Sequence, residues 1–292
     1  MAQCTYCGQS AGLMRKVHAK CHNRHARALS LIAEFLPKFF ESRLHVDRFR
    51  QIIEDAAKSA FIKPEELKSL FVAALEKMIN GTLEQQLLSN EQIQRITETI
   101  DALASIIPDD AYPHETIAKV NILRELTDGN VPELVAVAGP MPIELRPGET
   151  VIWIFNYVTT YQEAETGAGT DAPQPGIELP LDGANYFGLN AFKNVPVPRD
   201  TLQRQTQGDL VVTNRRLYFL IDEAQYERIP LGRLVSLRAY ADGVQINCGP
   251  VPEYARIFVL DDAWFAANLL VCLSNYVRKR INNAVVSEFP VA

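Results

Sequence analysis

Apolar side chains recur at spacings of three and four residues between about residues 26 and 128. The clearest stripe follows Pro64 and consists of Leu67, Leu70, Phe71, Ala74, Leu75 and Met78. This period places one apolar face along a helix. Pro64 and the two acids after it suit a helix first turn, and Asn80-Gly81 supplies a typical helix end.

The same period predicts further helices on either side. One begins at Ser89 or Asn90 and ends at Pro108, and another runs from near Pro113 to Asp128-Gly129. Two more are predicted at 29–40 and 49–61, with Pro37 kinking or dividing the first. We interpret the apolar faces as the core of a helical bundle. The alternative is a groove for a partner or a dimer face.

From residue 131 the pattern changes to runs of β-branched and aromatic residues separated by Gly, Pro and Asp. These runs predict strands at 151–155, 208–221, 234–240, 244–248 and 256–260. Residues 164–185 have few large apolar side chains and predict a long loop or hairpin. Asp261 or Asp262 predicts the cap of a final helix, whose apolar face includes Trp264 and Leu269.

These patterns predict an α+β protein with more than one folded unit, as 292 residues allow. The predicted domains are a small element at 1–25, a helical domain at 26–130 and a β-rich domain at 131–281. Residues 282–292 have no pattern and are predicted to be a tail.

Four residues near the start have the spacing of metal ligands. Cys4 and Cys7 are separated by two residues and followed by Gly8, while His18 and Cys21 lie three apart. The first pair suits a turn and the second suits one side of a helix start. Three sulfurs and one nitrogen complete a tetrahedral set, so we predict a structural zinc site without an open position for catalysis.

Two other histidines compete for places in this set. His22 follows His18 by four residues and would give a two-Cys, two-His finger, and His25 follows Cys21 by four. A redox pair is a further alternative, but it requires an apolar strand before Cys4 and a helix directly after it, and the sequence has neither.

Charge is unevenly distributed along the chain. The net charge is −6, yet residues 1–50 hold nine Lys or Arg against three acids, which leaves −12 for the rest. A basic N-terminal part on an acidic body suggests an anionic partner, while a solvated basic helix is the plain alternative.

One stretch carries a family resemblance. Residues 208–219, with the sequence GDLVVTNRRLYF, resemble the G-x-L-x-x-T-N-x-R-L-x-F strand of bacterial pleckstrin-homology-like and GRAM-type domains. The segments at 145–153, 228–236 and 240–246 and the closing helix with Trp264 are also similar to that family. The pattern from Cys4 to Cys21 looks like a zinc-knuckle element attached to such chains.

The resemblance implies a seven-stranded bent β-barrel over about residues 140–280, closed at one end by the final helix. It also implies a tight turn or strand crossing at 213–216. A domain of this kind would bind a protein partner or a membrane surface. Residues 156–170 contain no Lys or Arg, so the basic cluster of the phosphoinositide-binding members does not occur here.

Nothing in the sequence matches a nucleophile elbow, a phosphate loop or a dinucleotide fingerprint. We therefore expect a cytoplasmic, non-enzymatic interaction protein with a structural zinc ion and no catalytic or cofactor residues. It would bind a protein partner, contact a membrane peripherally or form a homo-oligomer. The alternative is a nucleic-acid-binding regulator that uses Arg15, Lys16, Lys20, Arg24 and Arg27.

Overall fold

A computed structural model describes residues 2–12, 15–42, 44–106, 112–132, 142–163, 175–182, 185–222, 225–249 and 255–288. The chain divides into two compact units, one from 1–83 with 88–118 and one from 84–87 with 119–292. Helices and an antiparallel sheet occur together, which confirms the predicted α+β class. The domain boundaries predicted after residues 25 and 130 stay predictions.

The first unit is helical. Its helices are α1 (Ala19–Glu41), α2 (Val46–Ala60), α3 (Pro64–Leu83), α4 (Asn90–Leu103) and the start of α5 (His114–Thr127). Helix α1 begins ten residues before the predicted start and continues through Pro37. Helix α4 has the predicted cap: the Ser89 hydroxyl accepts the Gln92 N–H, and the Gln92 side chain accepts the Ser89 N–H. The helix was predicted to end at Pro108, but it ends earlier, at Leu103, and residues 104–106 form a turn.

Helix α3 corrects one prediction. Asn80-Gly81 was expected to end it, but the helix continues to Leu83. Leu75, Ile79 and Leu83 are almost completely buried and extend the apolar face by a further turn. Glycine inside a helix costs only about 1 kcal/mol relative to alanine. Burying Leu83 stabilises by more than that, at about 1.5–3 kcal/mol for a fully buried leucine.

The second unit contains an eight-stranded antiparallel sheet. Its strands are β1 (Val151–Glu163), β2 (Ile177–Leu179), β3 (Leu202–Thr213), β4 (Arg216–Leu220), β5 (Tyr226–Pro230), β6 (Ser236–Tyr240), β7 (Gly243–Asn247) and β8 (Ala255–Val259). The strand order is β2-β6-β7-β8-β1-β3-β4-β5, so the described strands form an open sheet with β2 and β5 as its edges, and the closed barrel stays an expectation. The resemblance implied seven strands. The eighth is β2, which lies within the loop predicted at 164–185 and pairs with β6. Residues 164–174 of that loop lie outside the described residues.

Strand β1 links the two halves of the sheet. It pairs with β3 along almost its whole length and with β8 near its C-terminal end. The register with β3 shifts between Phe155 and Val158, where Tyr157 adopts a left-handed φ of 57°. The Tyr157 N–H donates to the Asp209 carboxylate at 3.1 Å. An irregularity of this kind bends a strand, and the bend allows one strand to serve both halves.

The residues of the resemblance motif hold the fold together. Strands β3 and β4 meet in the predicted tight turn, where the buried Thr213 hydroxyl accepts the N–H groups of Arg215 and Arg216. The Arg216 guanidinium lies 2.6 Å from the Glu149 carboxylate, whose side chain is 0% exposed. Thr213 and Tyr218 also donate to that carboxylate. This motif therefore fixes the loop before β1 against the β3–β4 turn.

The final helix, α6 (Ala263–Glu288), begins where the sequence predicted. The Asp262 carboxylate accepts the Phe265 N–H at 3.0 Å, which is an N-terminal cap. The helix packs against β6 and β7, and its first three turns are buried. It continues to Glu288, which corrects the tail predicted from residue 282; residues 289–292 lie outside the described residues.

We expect Glu149→Ala to lower the free energy of unfolding of the second unit by about 3–5 kcal/mol, because it leaves the Arg216 charge buried without its partner. Urea unfolding followed by tryptophan fluorescence measures this, since both tryptophans lie in the second unit. Glu178→Ala is the matched control: its pair with Arg238 is 4.0 Å long and the Glu178 side chain is 68% exposed. That change should cost less than about 1 kcal/mol, and equal losses would contradict the assignment.

Candidate metal centre

Residues 2–11 form a tight loop that brings Cys4 and Cys7 together. Gln3 and Ser10 form an antiparallel bridge, and the Cys4 N–H donates to the Gln9 carbonyl at 2.7 Å. The Gly8 N–H donates to the Cys4 carbonyl at 2.9 Å, and Gly8 has a φ of 72°. Glycine adopts this left-handed conformation without strain, so it closes the turn that carries both cysteines.

His18 and Cys21 come from the start of α1. His18 occupies the N-cap position, and its backbone N–H points to the Cys4 sulfur at 3.4 Å. Cys21 lies in the first turn, on the same side of the helix as His18. The Thr5 N–H donates to the Lys16 carbonyl at 3.0 Å and ties the loop to the segment that leads into the helix.

The four predicted ligands form one cluster. The three sulfur atoms and one nitrogen of Cys4, Cys7, His18 and Cys21 all lie within 4.8 Å of one another. The His18 Nδ1 atom is 3.4 Å from the Cys7 sulfur and 3.7 Å from the Cys21 sulfur. Cys4 is buried and the other three are half-buried. The cluster is geometrically able to hold a metal ion.

The histidine is oriented for binding through Nδ1. Its Nε2 atom lies 2.9 Å from the Ser10 carbonyl, which only accepts hydrogen bonds, so Nε2 carries the proton. In the neutral ring this leaves the Nδ1 lone pair directed at the sulfurs. The Ser10 carbonyl and the Cys7 sulfur also raise the pKa of His18. A carbonyl that fixes the ring from behind is the usual second partner of a metal-binding histidine.

The pKa values of the Cys4 and Cys21 thiols are shifted in opposite directions. Burial acts to raise the pKa of Cys4, but the N–H groups of Cys7, His18 and Tyr6 lower it to about 6. Burial and the nearby Cys7 and Cys4 sulfurs raise the pKa of Cys21 to about 11. Cys4 therefore ionises easily, whereas the neighbouring sulfurs oppose ionisation of Cys21. A cation bound between the sulfurs would remove this electrostatic repulsion.

His22 and His25 lie outside the cluster. His22 is exposed on α1. The buried His25 ring donates from Nδ1 to the Ala60 carbonyl at 3.0 Å, and its Nε2 lies 3.1 Å from the Glu66 carboxylate. Its ring centroid is 4.6 Å from that of Tyr6. His25 therefore joins the ligand loop to α2 and α3, a role that its spacing after Cys21 did not reveal.

Basic residues lie close to the ligands along the sequence. Residues 1–33 contain no Asp or Glu. The five basic residues of this stretch are all exposed, and none has an ion-pair partner among the described residues: Arg15, Lys16, Lys20, Arg24 and Arg27. Lys20, Arg24 and Arg27 follow helical spacings of four and three, which places them on one face of α1. We call these five residues the basic face.

The remaining cysteines are far along the chain and separate from the cluster. Cys248 and Cys272 are free, and burial raises the pKa of both thiols. Within the described residues, no helix is long and apolar enough to cross a membrane. Comparison with protein-family models, curated proteins and solved structures found no match.

We expect His25→Ala to lower the stability of the first unit by about 1–3 kcal/mol, because the change leaves the buried Ala60 carbonyl without its donor. Urea unfolding followed by far-ultraviolet circular dichroism provides the measurement. His22→Ala, an exposed substitution one turn earlier in the same helix, should change stability by less than about 0.5 kcal/mol. Similar losses in the two variants would show that the His25 contacts do not stabilise the unit.

Proposed function

We propose that Cys4, Cys7, His18 and Cys21 bind one structural Zn²⁺ ion. Tetrahedral zinc with Zn–S bonds of about 2.3 Å and Zn–N bonds of about 2.0 Å places nitrogen and sulfur ligands about 3.5 Å apart. The Nδ1–Sγ separations of 3.4 and 3.7 Å agree with that geometry. Protein atoms supply all four ligands, so no position is left for a substrate or a catalytic water.

Zinc would act here by shaping the chain. Residues 2–12 contribute only Cys4 and Ala11 to the buried apolar set, so this loop has almost no core of its own. Small zinc elements of this kind depend on the metal for their fold. The ion would hold the loop against the start of α1 and so set the position of the basic face.

Purified protein should contain about one zinc per chain, and Cys4→Ser or Cys21→Ser should lose most of it, because hydroxyl groups replace thiolates poorly. Metal analysis by mass spectrometry after gel filtration checks this. Cys248→Ser is the control and should retain zinc, since that thiol is outside the cluster. Protein purified without chelator that carries no zinc would disprove the proposal.

We propose further that the protein is a non-enzymatic interaction protein, in which the zinc element presents the basic face to an anionic surface of a partner protein. The observation that carries this proposal is the set of five exposed basic residues between positions 15 and 27, which have no ion-pair partner among the described residues and share this stretch with the ligands His18 and Cys21. The second unit supports a pleckstrin-homology-like domain as the other binding module. Apart from β2, it has seven strands followed by a helix, as the resemblance implies.

The same basic face favours a second candidate, a regulator that binds nucleic acid. Exposed cations without ion-pair partners can neutralise phosphates and release counterions, which makes binding strongly dependent on salt. The sequence offers no aromatic platform between these residues, so stacking on single-stranded bases is less well supported.

A triple variant, Lys20→Ala with Arg24→Ala and Arg27→Ala, should abolish most binding through the basic face. We would measure retention of partner proteins by quantitative affinity capture, and binding of a 20-base-pair duplex by fluorescence anisotropy at low and raised salt. The matched control is Lys58→Ala with Lys63→Ala and Lys77→Ala, which removes three exposed lysines elsewhere in the first unit.

The two candidates give different results. If the partner is a nucleic acid, the duplex binds at low salt, and the logarithmic salt slope falls by about 0.9 for each phosphate contact removed. If the partner is a protein, the duplex does not bind, and captured proteins are lost from the triple variant but not from the control. Equal capture by both variants would contradict a role for the basic face.

A further inference from the structure

The second unit contains a cavity between the C-terminal half of α5 and the middle of α6. Its volume is about 280 Å³, and all of its lining residues belong to this unit. Its lining includes the buried Leu123 and Leu126 from α5, Tyr276 from α6 and Tyr186 from the segment after β2. Apolar clefts of this size between helices are common sites for small ligands.

The polar groups inside the cavity are already bonded to protein. The Asn268 side chain accepts the Phe187 N–H at 2.9 Å and donates to the Phe187 and Trp264 carbonyls. The Cys272 sulfur lies 3.8 Å from the Thr127 hydroxyl, which donates to the Leu123 carbonyl at 2.7 Å. The interior therefore suits an apolar group that makes no hydrogen bonds of its own.

The rim of the cavity is positively charged. Lys279 and Arg280 line it from successive positions of α6, and both are exposed. The Arg280 guanidinium is held above the Tyr276 ring at 5.5 Å and donates to the Tyr276 hydroxyl. No Asp or Glu is among the described residues that line the cavity; Glu84 acts on Tyr186 through its charge. Thr127 and Gly129, at the C-terminal end of α5, also line the cavity, and a helix C-terminus disfavours an anion, so an anionic group belongs beside Lys279 and Arg280 of α6.

The volume limits the length of the ligand. A water molecule takes up about 30 Å³ of liquid, and a methylene group is of similar size, so the cavity accepts roughly nine such groups. We propose that this cavity binds a linear carboxylic acid of about eight to ten carbons, with its chain between α5 and α6 and its carboxylate at Lys279 and Arg280.

The first test is isothermal titration of the full chain with hexanoate, octanoate, decanoate and dodecanoate below their micelle concentrations. Each added methylene should strengthen binding by about threefold to fourfold until the cavity is filled, and dodecanoate should gain nothing over decanoate. Decanamide, which has the same length without the charge, should bind about 5-fold more weakly or worse. Affinity that keeps rising with chain length would indicate detergent-like adsorption and overturn the proposal.

Two double variants test whether Lys279 and Arg280 bind the carboxylate of the ligand. Lys279→Ala with Arg280→Ala should weaken decanoate binding by about 5- to 20-fold and leave decanamide unchanged, since exposed ion pairs contribute about fivefold each at most. Lys193→Ala with Arg204→Ala removes the same charge from exposed positions away from the cavity and should bind decanoate like the wild type. Equal effects in the two variants would overturn the assignment of the rim.

Alkylation of Cys272 locates the ligand in the wild-type protein, so this test does not depend on the folding of a variant. At a concentration of four times its dissociation constant, decanoate should slow the reaction of Cys272 with N-ethylmaleimide by about 5-fold, which is the limit for complete protection, as measured by peptide mass spectrometry. Cys248, which lies outside this cavity and has a similarly raised pKa, is the internal control. Decanoate that binds without protecting Cys272 would place the site elsewhere.

A vesicle-binding experiment distinguishes a free fatty acid from the acyl chain of a membrane lipid as the ligand. Phosphatidylglycerol vesicles should neither retain the protein nor compete with decanoate. Retention that depends on Lys279 and Arg280, without binding of free decanoate, would identify a lipid surface as the occupant and overturn the proposal. The cavity lies within the second unit, so a failure of decanoate to bind the full chain is independent of the outcome of the zinc and partner experiments.

Discussion

Three sulfur atoms and one imidazole nitrogen share a small volume near the start of the chain, and the surrounding structure is arranged around them. Backbone N–H groups favour the thiolate of Cys4, while the neighbouring sulfurs oppose ionisation of Cys21. The His18 N–H points to the Cys4 sulfur and the His18 ring bonds to Ser10, so the loop and the first turn of α1 share this centre. A divalent cation bound there, as we propose, would balance this charge and fix the loop against the start of α1.

The second unit depends on a different buried charge. Glu149 precedes β1, and Arg216 opens β4, so their pairing joins parts of the chain that are 67 residues apart. Thr213, Tyr218 and the Arg146 N–H also donate to the carboxylate. The polar residues of the resemblance motif thus serve the fold, and Gly208 does so as well. A side chain at Gly208 would lie 1.9 Å from the Leu220 carbonyl, where β3 and β4 approach closely.

The sequence predicts well what is local and periodic. The ligand cluster follows from two spacings within 21 residues, and α4 follows from a capping signal with an apolar stripe behind it. Short or polar elements are harder to predict. Residues 19–28, at the start of α1, have no apolar stripe, β2 has only three residues, and β5 carries Glu227 and Arg228 in place of a clear alternation.

Contacts between residues that are far apart in the sequence are also not predictable from its local patterns. Nothing in the spacing of His25 shows that its ring meets Ala60 and Glu66, because those partners lie 35 and 41 residues away. The same is true of the cavity. Its apolar residues follow the periods of α5 and α6 and look like core positions, and only the packing of the two helices leaves space between them.

The two edges of the open sheet have a consequence for behaviour at high concentration. Unpaired edge strands can recruit strands from other molecules and so begin aggregation. Here one edge, β2, offers only three residues for such pairing. The other, β5, exposes Glu227 and Arg228 and ends at Pro230, which has no N–H to donate. Each edge is therefore a poor template, and the sheet can remain open without polymerising through its edges.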